Sequence, residues 1–219
     1  MTIVEFCGNP GCGKSTVCRL LLRKLRERGI AAFDYNERKE KSKLNNVRYL
    51  LSPGRLKTAA ALWRFGAGSG VTKRTFIYSV KCAVVLEQLR RWEEDAGCEA
   101  VLFDEGLIQY VTTLSHAAAV GELGEDVKKT LREFYQRAGV YVVDCVLNTE
   151  ENARRLNARN TEGDRFVTDD PAEQSARLAL KRANIDAVLE QVRPANLLRV
   201  STADSEQAAE EILGRLGLT

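Results

Sequence analysis

A three-layer α/β fold, with five parallel strands in one sheet and helices on both faces, is what this sequence predicts. Three observations carry the prediction. Short β-rich segments alternate with amphipathic helical segments along the chain, the order expected of βαβ units. The clearest strand, Val140 to Leu147, is an apolar run broken only by Asp144, which marks a strand covered on both faces. The chain has 219 residues, 44% apolar and 29% charged, enough to enclose a sizeable core. That balance excludes a wholly disordered, collagen-like or coiled-coil chain and suggests one domain spanning residues 1–219.

Taken in order, Thr2 to Phe6 is β-rich and runs into a glycine cluster. Ser15 to Arg28 follows as a helix, with Val17, Leu20, Leu21, Leu22 and Leu25 at helical spacing and Gly29 as its terminator. Ile30 to Tyr35 reads as a second strand, which makes a parallel βαβ start. Residues 36–70 hold a mixed-charge run from Glu37 to Lys43, a Ser52-Pro53-Gly54 turn and a glycine-rich stretch from Gly66 to Gly70. This is an insert with some helix, not a linker between domains. Lys73 to Ala96 is a long helix closed by Gly97, and Ala100 to Asp104 is a strand leading into Glu105-Gly106. Helices are expected at about 107–119 and 125–138, then the strand at 140–147, a short Arg-rich helix at 150–160 and a polar loop at 161–169. Asp170-Pro171-Ala172-Glu173 opens the next helix with an N-cap, a proline in the first turn and a capping-box glutamate. A last strand at Asn196 to Val200 and a last helix at Asp204 to Leu216 complete the chain, with no internal repeat.

Thirty-three Lys plus Arg against thirty Asp plus Glu leave a net charge of +3, too near balance for a nucleic-acid coat or a membrane-surface binder. No apolar run approaches the roughly 20 residues of a membrane-spanning helix, and no secretory leader pattern is present. Six scattered cysteines with no CxxC pair, beside a single histidine, suggest neither a zinc site nor a disulfide framework. A cytoplasmic protein is expected.

Gly8-Asn9-Pro10-Gly11-Cys12-Gly13-Lys14-Ser15 matches the phosphate-binding pattern G-x-x-x-x-G-K-[ST], set between a strand and a helix as its mechanism requires. Glycines let successive N–H groups curl around phosphates, and the helix N-terminus adds its dipole. Lys14 is placed to reach the β and γ oxygens, and the Ser15 hydroxyl to serve Mg2+. The competing reading is a chance Gly-rich turn, which the flanking strand and helix disfavour. An apolar strand ending in Asp104 is where such a loop finds its magnesium-linked carboxylate. Strands also end in Asp for turn reasons, so this second signal draws its weight from the first. Glu105 has three open roles: base toward water, base toward an acceptor hydroxyl, or hydrogen-bond partner of a loop. Arg154, Arg155, Arg159 and Arg165 cluster within twelve residues. Arg155 and Arg159 lie one turn apart, and Arg165 sits on a glycine-containing segment suited to close over phosphates. The ordinary fate of such a run is a solvated face paired with Glu150, Glu151, Glu162 and Asp164. His116, Trp63 and Trp92 read as structural or packing residues. Cys7 and Cys12 flank the loop, where oxidation sensitivity competes with the commoner inert buried thiol. Arg38, Arg48 and Arg55 are candidates for contact with an anionic acceptor.

Together these parts resemble the P-loop nucleoside monophosphate kinase superfamily, most nearly its thymidylate kinase-like members, over most of the chain. The segment Gly8 to Thr16 is similar to the G-x-P-G-x-G-K-G-T loop of adenylate kinases and to the G-K-S-T ending of thymidylate kinases. Leu147-Asn148-Thr149-Glu150-Glu151-Asn152-Ala153-Arg154, then Arg159 and Asp164-Arg165-Phe166, resembles the post-strand helix and lid of thymidylate kinases. The third-strand motif of the family, Asp-Arg-Tyr or Asp-Gly-Phe-Pro-Arg, is replaced here by Asp104-Glu105-Gly106. An acceptor-phosphate arginine is therefore missing at that point, and Lys81 stands where a family helix offers one.

The resemblance implies strand order 2-3-1-4-5, a lid at 154–170 and an acceptor-binding insert at 36–70. It further implies ATP and Mg2+ as cofactors and a small-molecule acceptor, by family expectation a nucleotide, with homodimerisation left open. Gly8, Asn9, Pro10, Gly11, Cys12, Gly13, Lys14, Ser15, Thr16 and Arg154 are assigned to the nucleotide, and Ser15 and Asp104 to the metal. Lys14, Asp104, Glu105, Arg155, Arg159 and Arg165 are assigned to phosphoryl transfer. A P-loop ATPase or nucleotide switch acting on a protein partner, with Glu105 activating water, is the second reading.

Overall fold

The computed structural model describes residues 1–38, 51, 54–67, 73–93, 97–114, 120–159, 166–168 and 170–218. Five strands, β1 (Thr2–Gly8), β2 (Ala32–Asp34), β3 (Ala100–Phe103), β4 (Val140–Val146) and β5 (Asn196–Ser201), form one sheet in the order β2-β3-β1-β4-β5. Every pairing is parallel, with Ile3 opposite both Val101 and Val140, and Gly8 opposite Cys145. The expected fold class and strand order are those observed.

Side-chain alternation along β1 divides the core into two halves. Ile3 and Cys7 join the cluster containing Val101, Phe103, Val140 and Val142. Helices α3 (Arg55–Ala67), α4 (Lys73–Trp92), α5 (Leu107–Leu114), α6 (Glu125–Tyr135) and α8 (Pro171–Val192) cover that face. Val4 and Phe6 join Leu102, Val143, Cys145 and Val200 on the other face, under α1 (Lys14–Glu27) and α9 (Ser205–Leu216). Both faces of the central strands are thus covered, which is why these strands are apolar apart from the buried acids Glu5 and Asp144.

Local signals set the helix ends. Asp170 accepts hydrogen bonds from the N–H groups of Ala172 and Glu173 at the start of α8, with Pro171 in the first turn. Asn148 caps α7 (Thr149–Ala158) by accepting from the Glu151 N–H at 2.8 Å. The second strand is shorter than its pattern suggests because Tyr35–Arg38 turns into a short helix, α2, whose Tyr35 ring packs 5.5 Å from Trp92 and 5.6 Å from Phe103. Trp92 is a packing residue as expected; Trp63 is instead 42% exposed on α3. His116, Arg48 and Arg165 lie outside the described residues. Among the described residues no helix is long and apolar enough to cross a membrane.

Candidate functional site

The carboxyl ends of β1, β3 and β4 place three segments side by side: the phosphate loop after Gly8, the turn at Asp104, and the start of α7. Gly8 is required where it is. Its φ is +145°, and a Cβ there would lie 2.5 Å from the Cys145 carbonyl oxygen and 2.8 Å from the Cys12 Sγ.

Three side chains from distant parts of the chain clamp the loop. The Asn9 amide donates to the Leu178 carbonyl at 3.1 Å, the Asn152 amide to the Pro10 carbonyl at 2.8 Å, and the buried Thr202 hydroxyl to the Cys12 and Val146 carbonyls. The loop then enters α1 through Gly13, with no side chain capping the helix N-terminus. The Thr16 and Val17 N–H groups bond to the Gly13 carbonyl at 3.0 Å, which leaves those of Lys14 and Ser15, with the helix dipole, to face an anion.

Lys14 is buried, and its ammonium donates to the carbonyls of Gly8 at 3.1 Å and Asn9 at 2.9 Å. Among the described residues no carboxylate pairs with it. A cavity of about 310 Å³ opens in front, bordered by Gly11, Gly13, Lys14, Ser15, Thr16, Arg19, Arg155 and Arg159. Four cations and no acid line it, so its electrostatics suit a polyanion of phosphate-chain size.

The arginines of α7 divide by position. Arg155 commits three of its five N–H donors: Nε donates to Glu151 at 2.7 Å, Nη1 to the Thr202 carbonyl at 3.1 Å and Nη2 to the Ala203 carbonyl at 3.1 Å. Arg159 follows α7 and borders the cavity from an exposed position. Arg154 is 70% exposed and grips Glu151 with two bonds of 2.6 and 2.7 Å; it does not border the cavity. Arg154 and Arg155 together hold the Glu151 carboxyl down to about 2.

Asp104 is half-buried and Glu105 exposed at the end of β3. Beneath them lies Glu5, fully buried, accepting from the Ile108 N–H at 2.7 Å and from the Tyr135 hydroxyl at 2.5 Å. Glu5 thereby caps the first turn of α5 and anchors the Asp104-Glu105-Gly106 turn. Burial pushes its carboxyl up to about 7, against the pull of Tyr135 and the Ile108 and Leu107 amides. Among the described residues no group of three His, Cys, Asp or Glu side chains is placed to hold a metal alone. A hydroxyl, one carboxylate and phosphate oxygens are the hard donor set that Mg2+ accepts, and Ser15 and Asp104 are of that kind.

On the α4 side, Lys81 is exposed with its ammonium 4.9 Å from the Tyr78 ring and 5.8 Å from the Tyr110 ring. Arg55 is held by the buried Glu87 at 3.2 Å. Burial works to raise Glu87, but Arg90, Arg91 and Arg55 overcome it and hold the carboxyl at about 2. Arg38 lies over the rings of Phe33 and Trp92. Sequence reading missed Thr202, Asn152, Arg19 and Glu5; only Glu5, an acid inside an apolar strand, left a local signal.

Solved structures share this architecture. Deoxyadenosine kinase from M. mycoides with its products dCMP and dCDP superposes with a TM-score of 0.51 at 12% identity, over 99% of this chain and 100% of that one. The same enzyme with bound dATP gives 0.51 at 14% identity, over 99% of both chains. The chain has the P-loop kinase fold. Shikimate kinase from Acinetobacter baumannii with shikimate aligns at a TM-score of 0.49 and 16% identity, over 99% of this chain and 93% of that one. No protein-family model matches the chain, and no curated protein sequence does. In this fold the loop at Gly8 to Ser15 and the turn at Asp104 lie beyond the carboxyl ends of the strands, the place where open α/β sheets take their ligands.

Proposed function

We propose that this protein is an ATP- and Mg2+-dependent phosphotransferase of the nucleoside monophosphate kinase type, thymidylate kinase-like in its phosphate loop and lid. It would move a γ-phosphoryl group to a small acceptor, in the first instance a nucleotide. The observation that carries the reading is the cavity before α1, lined by Lys14, Arg19, Arg155 and Arg159 with no acid. The likeness to a deoxyadenosine kinase supports the fold within which that cavity sits.

Phosphate oxygens would replace the Gly8 and Asn9 carbonyls as partners of the Lys14 ammonium, and the amides of Gly11, Gly13, Lys14 and Ser15 would hold the rest of the chain of phosphates. Arg155, tied to Glu151, Thr202 and Ala203 by three of its five N–H donors and bordering the cavity, would add its charge there during phosphoryl transfer. Arg159, with Arg165 from the lid, would neutralise charge that develops during transfer. Ser15 and Asp104 would hold Mg2+, whose chemistry is to draw charge from the phosphate oxygens. Glu105, exposed at the acceptor side of Asp104, would orient the acceptor hydroxyl and take its proton. Residues 36–70 would form the acceptor insert and 154–170 the lid of a single domain. Six free thiols accord with a cytoplasmic protein, and homodimerisation is compatible with this reading.

The test is ADP release with Mg2+ and ATP, alone and against nucleoside monophosphates, nucleosides and sugars. Release that depends on one acceptor class names the substrate; steady release that ignores every acceptor refutes the kinase and supports a water-activating ATPase. Glu105→Gln separates the same two readings, since it cripples hydrolysis in an ATPase but acts on a kinase only with acceptor present.

A further inference from the structure

Two thiols converge beneath the phosphate loop. Cys12 lies within the loop and Cys145 on β4, and the β1–β4 register sets Gly8 opposite Cys145. On the bare face of Gly8, the position of a Cβ would be 2.8 Å from the Cys12 Sγ and 3.2 Å from the Cys145 Cβ. The missing side chain is what lets the two cysteines meet. The Cys12 Sγ and the Cys145 Cβ face each other across that position, and both residues are 1% exposed. The Lys14 ammonium lies 3.9 Å from the Cys12 Sγ. The Cys145 thiol and then the Lys14 charge pull the Cys12 thiol down despite burial, while the neighbouring Cys12 and burial push Cys145 up. Cys7 points to the opposite face of β1, where its thiol meets Asp144 at 3.9 Å, and burial pushes the thiols of Cys18 and Cys82 up.

We propose that Cys12 and Cys145 form a reversible disulfide that turns off phosphate binding by this loop. The proposal rests on the reading of the loop as a nucleotide site. The oxidant is a hydroperoxide. Cys12 thiolate attacks its outer oxygen, the O–O bond breaks, and Cys12 becomes a sulfenic acid while the other oxygen leaves and takes up a proton. Cys145 then loses its proton and attacks the sulfenic sulfur; the S–O bond breaks and water departs. Two thiols lose two electrons in all, and the peroxide gains them.

Closing the two sulfurs to a bond of about 2 Å draws Cys12 toward β4. Cys12 is held by its N–H on the Asn9 carbonyl at 3.2 Å and by its own carbonyl on the Thr202 hydroxyl. Gly11 and Gly13 on either side of it border the cavity. A shift at Cys12 therefore moves the flanking amides off the positions that phosphate oxygens need. Bound nucleotide, by holding those amides, opposes the closure.

The experiment treats the full chain with hydrogen peroxide, blocks remaining thiols with N-ethylmaleimide, digests without reductant and measures a fluorescent ATP analogue binding with Mg2+. The expected product joins peptide 1–14 to peptide 138–154, with fragmentation placing the bond at Cys12 and not Cys7. Affinity is expected to fall about tenfold or more, the loss of one charge-assisted hydrogen bond, and to return with dithiothreitol. Cys145→Ala should bind like the reduced wild type and keep its affinity after peroxide; Cys145→Val serves if the alanine variant does not fold. ATP present during oxidation should suppress the link. Absence of the link at peroxide doses that leave the circular dichroism unchanged overturns the proposal. So does a link that leaves affinity intact, or an equal reversible loss in the Cys145 variant. A reduced wild type that does not bind ATP overturns the functional reading and the switch with it; one that binds but never forms the link overturns the switch alone.

Discussion

Glu5 stands in the middle of β1, fully buried, with neutral donors as its hydrogen-bond partners: the Tyr135 hydroxyl and the amides of α5. Burial raises its carboxyl from 4.5 to about 7. The folded chain then holds the proton more tightly than the unfolded chain does. Stability present below about pH 4.5 is lost as the pH climbs toward 7, and the loss is complete above it. The rise from 4.5 to about 7 corresponds to about 3 kcal/mol for the ionised protein. Glu5→Gln keeps an oxygen for the Ile108 N–H and removes the charge, so it escapes this loss. Urea unfolding of wild type and variant at about pH 5 and about pH 8.5 isolates the effect, because every other titrating group cancels in the comparison. The variant's advantage should grow by roughly 2–3 kcal/mol between the two conditions. A difference that changes by less than about 0.5 kcal/mol, or that shrinks with rising pH, refutes the assignment of a buried acid with neutral partners.

Gly106→Ala would place a Cβ 2.1 Å from the Phe103 ring and 2.3 Å from the Glu5 carboxyl carbon, both fully packed. A loss near the upper end of about 1–3 kcal/mol is expected, read as a lowered Tm. Thr202→Val strands the buried Cys12 carbonyl, so a loss of about 1–3 kcal/mol in urea unfolding should accompany weaker ATP binding by calorimetry. Asp144 is fully buried and binds Arg182 at 2.6 Å and Arg199 at 2.8 Å. Asp144→Asn should cost about 3 kcal/mol in the same assay, the low end for a broken buried pair because Arg182 keeps Asp186 at 2.7 Å.

Much of the fold was legible before any coordinates. The central strands were legible because two covered faces demand apolar runs, as in Val140–Val146, which only Asp144 interrupts. Asp170 and Pro171 announced the start of α8 through bonds that reach only two or three residues. Gly8 to Ser15 revealed a phosphate loop for the same reason: its conformation is set by glycines and by the strand and helix on either side. Boundaries slipped where packing intervened, as at Tyr35, which left β2 to pack on Trp92 and Phe103.

The sequence by itself determined, then, what depends on neighbours along the chain: the alternation of strand and helix, the caps and the loop. Only the tertiary structure decided which side chain does what around that loop. Arg154 and Arg155 are adjacent in sequence and equal in composition, yet one is spent on Glu151 in solvent while the other also ties down the carbonyls of Thr202 and Ala203 at the cavity edge. Glu5 finds its partners 103 and 130 residues away, and Thr202 reaches Cys12 across 190. Such contacts follow from how helices dock on the sheet, and a hydroxyl or carboxyl in a one-dimensional pattern carries no mark of the partner that docking will bring to it.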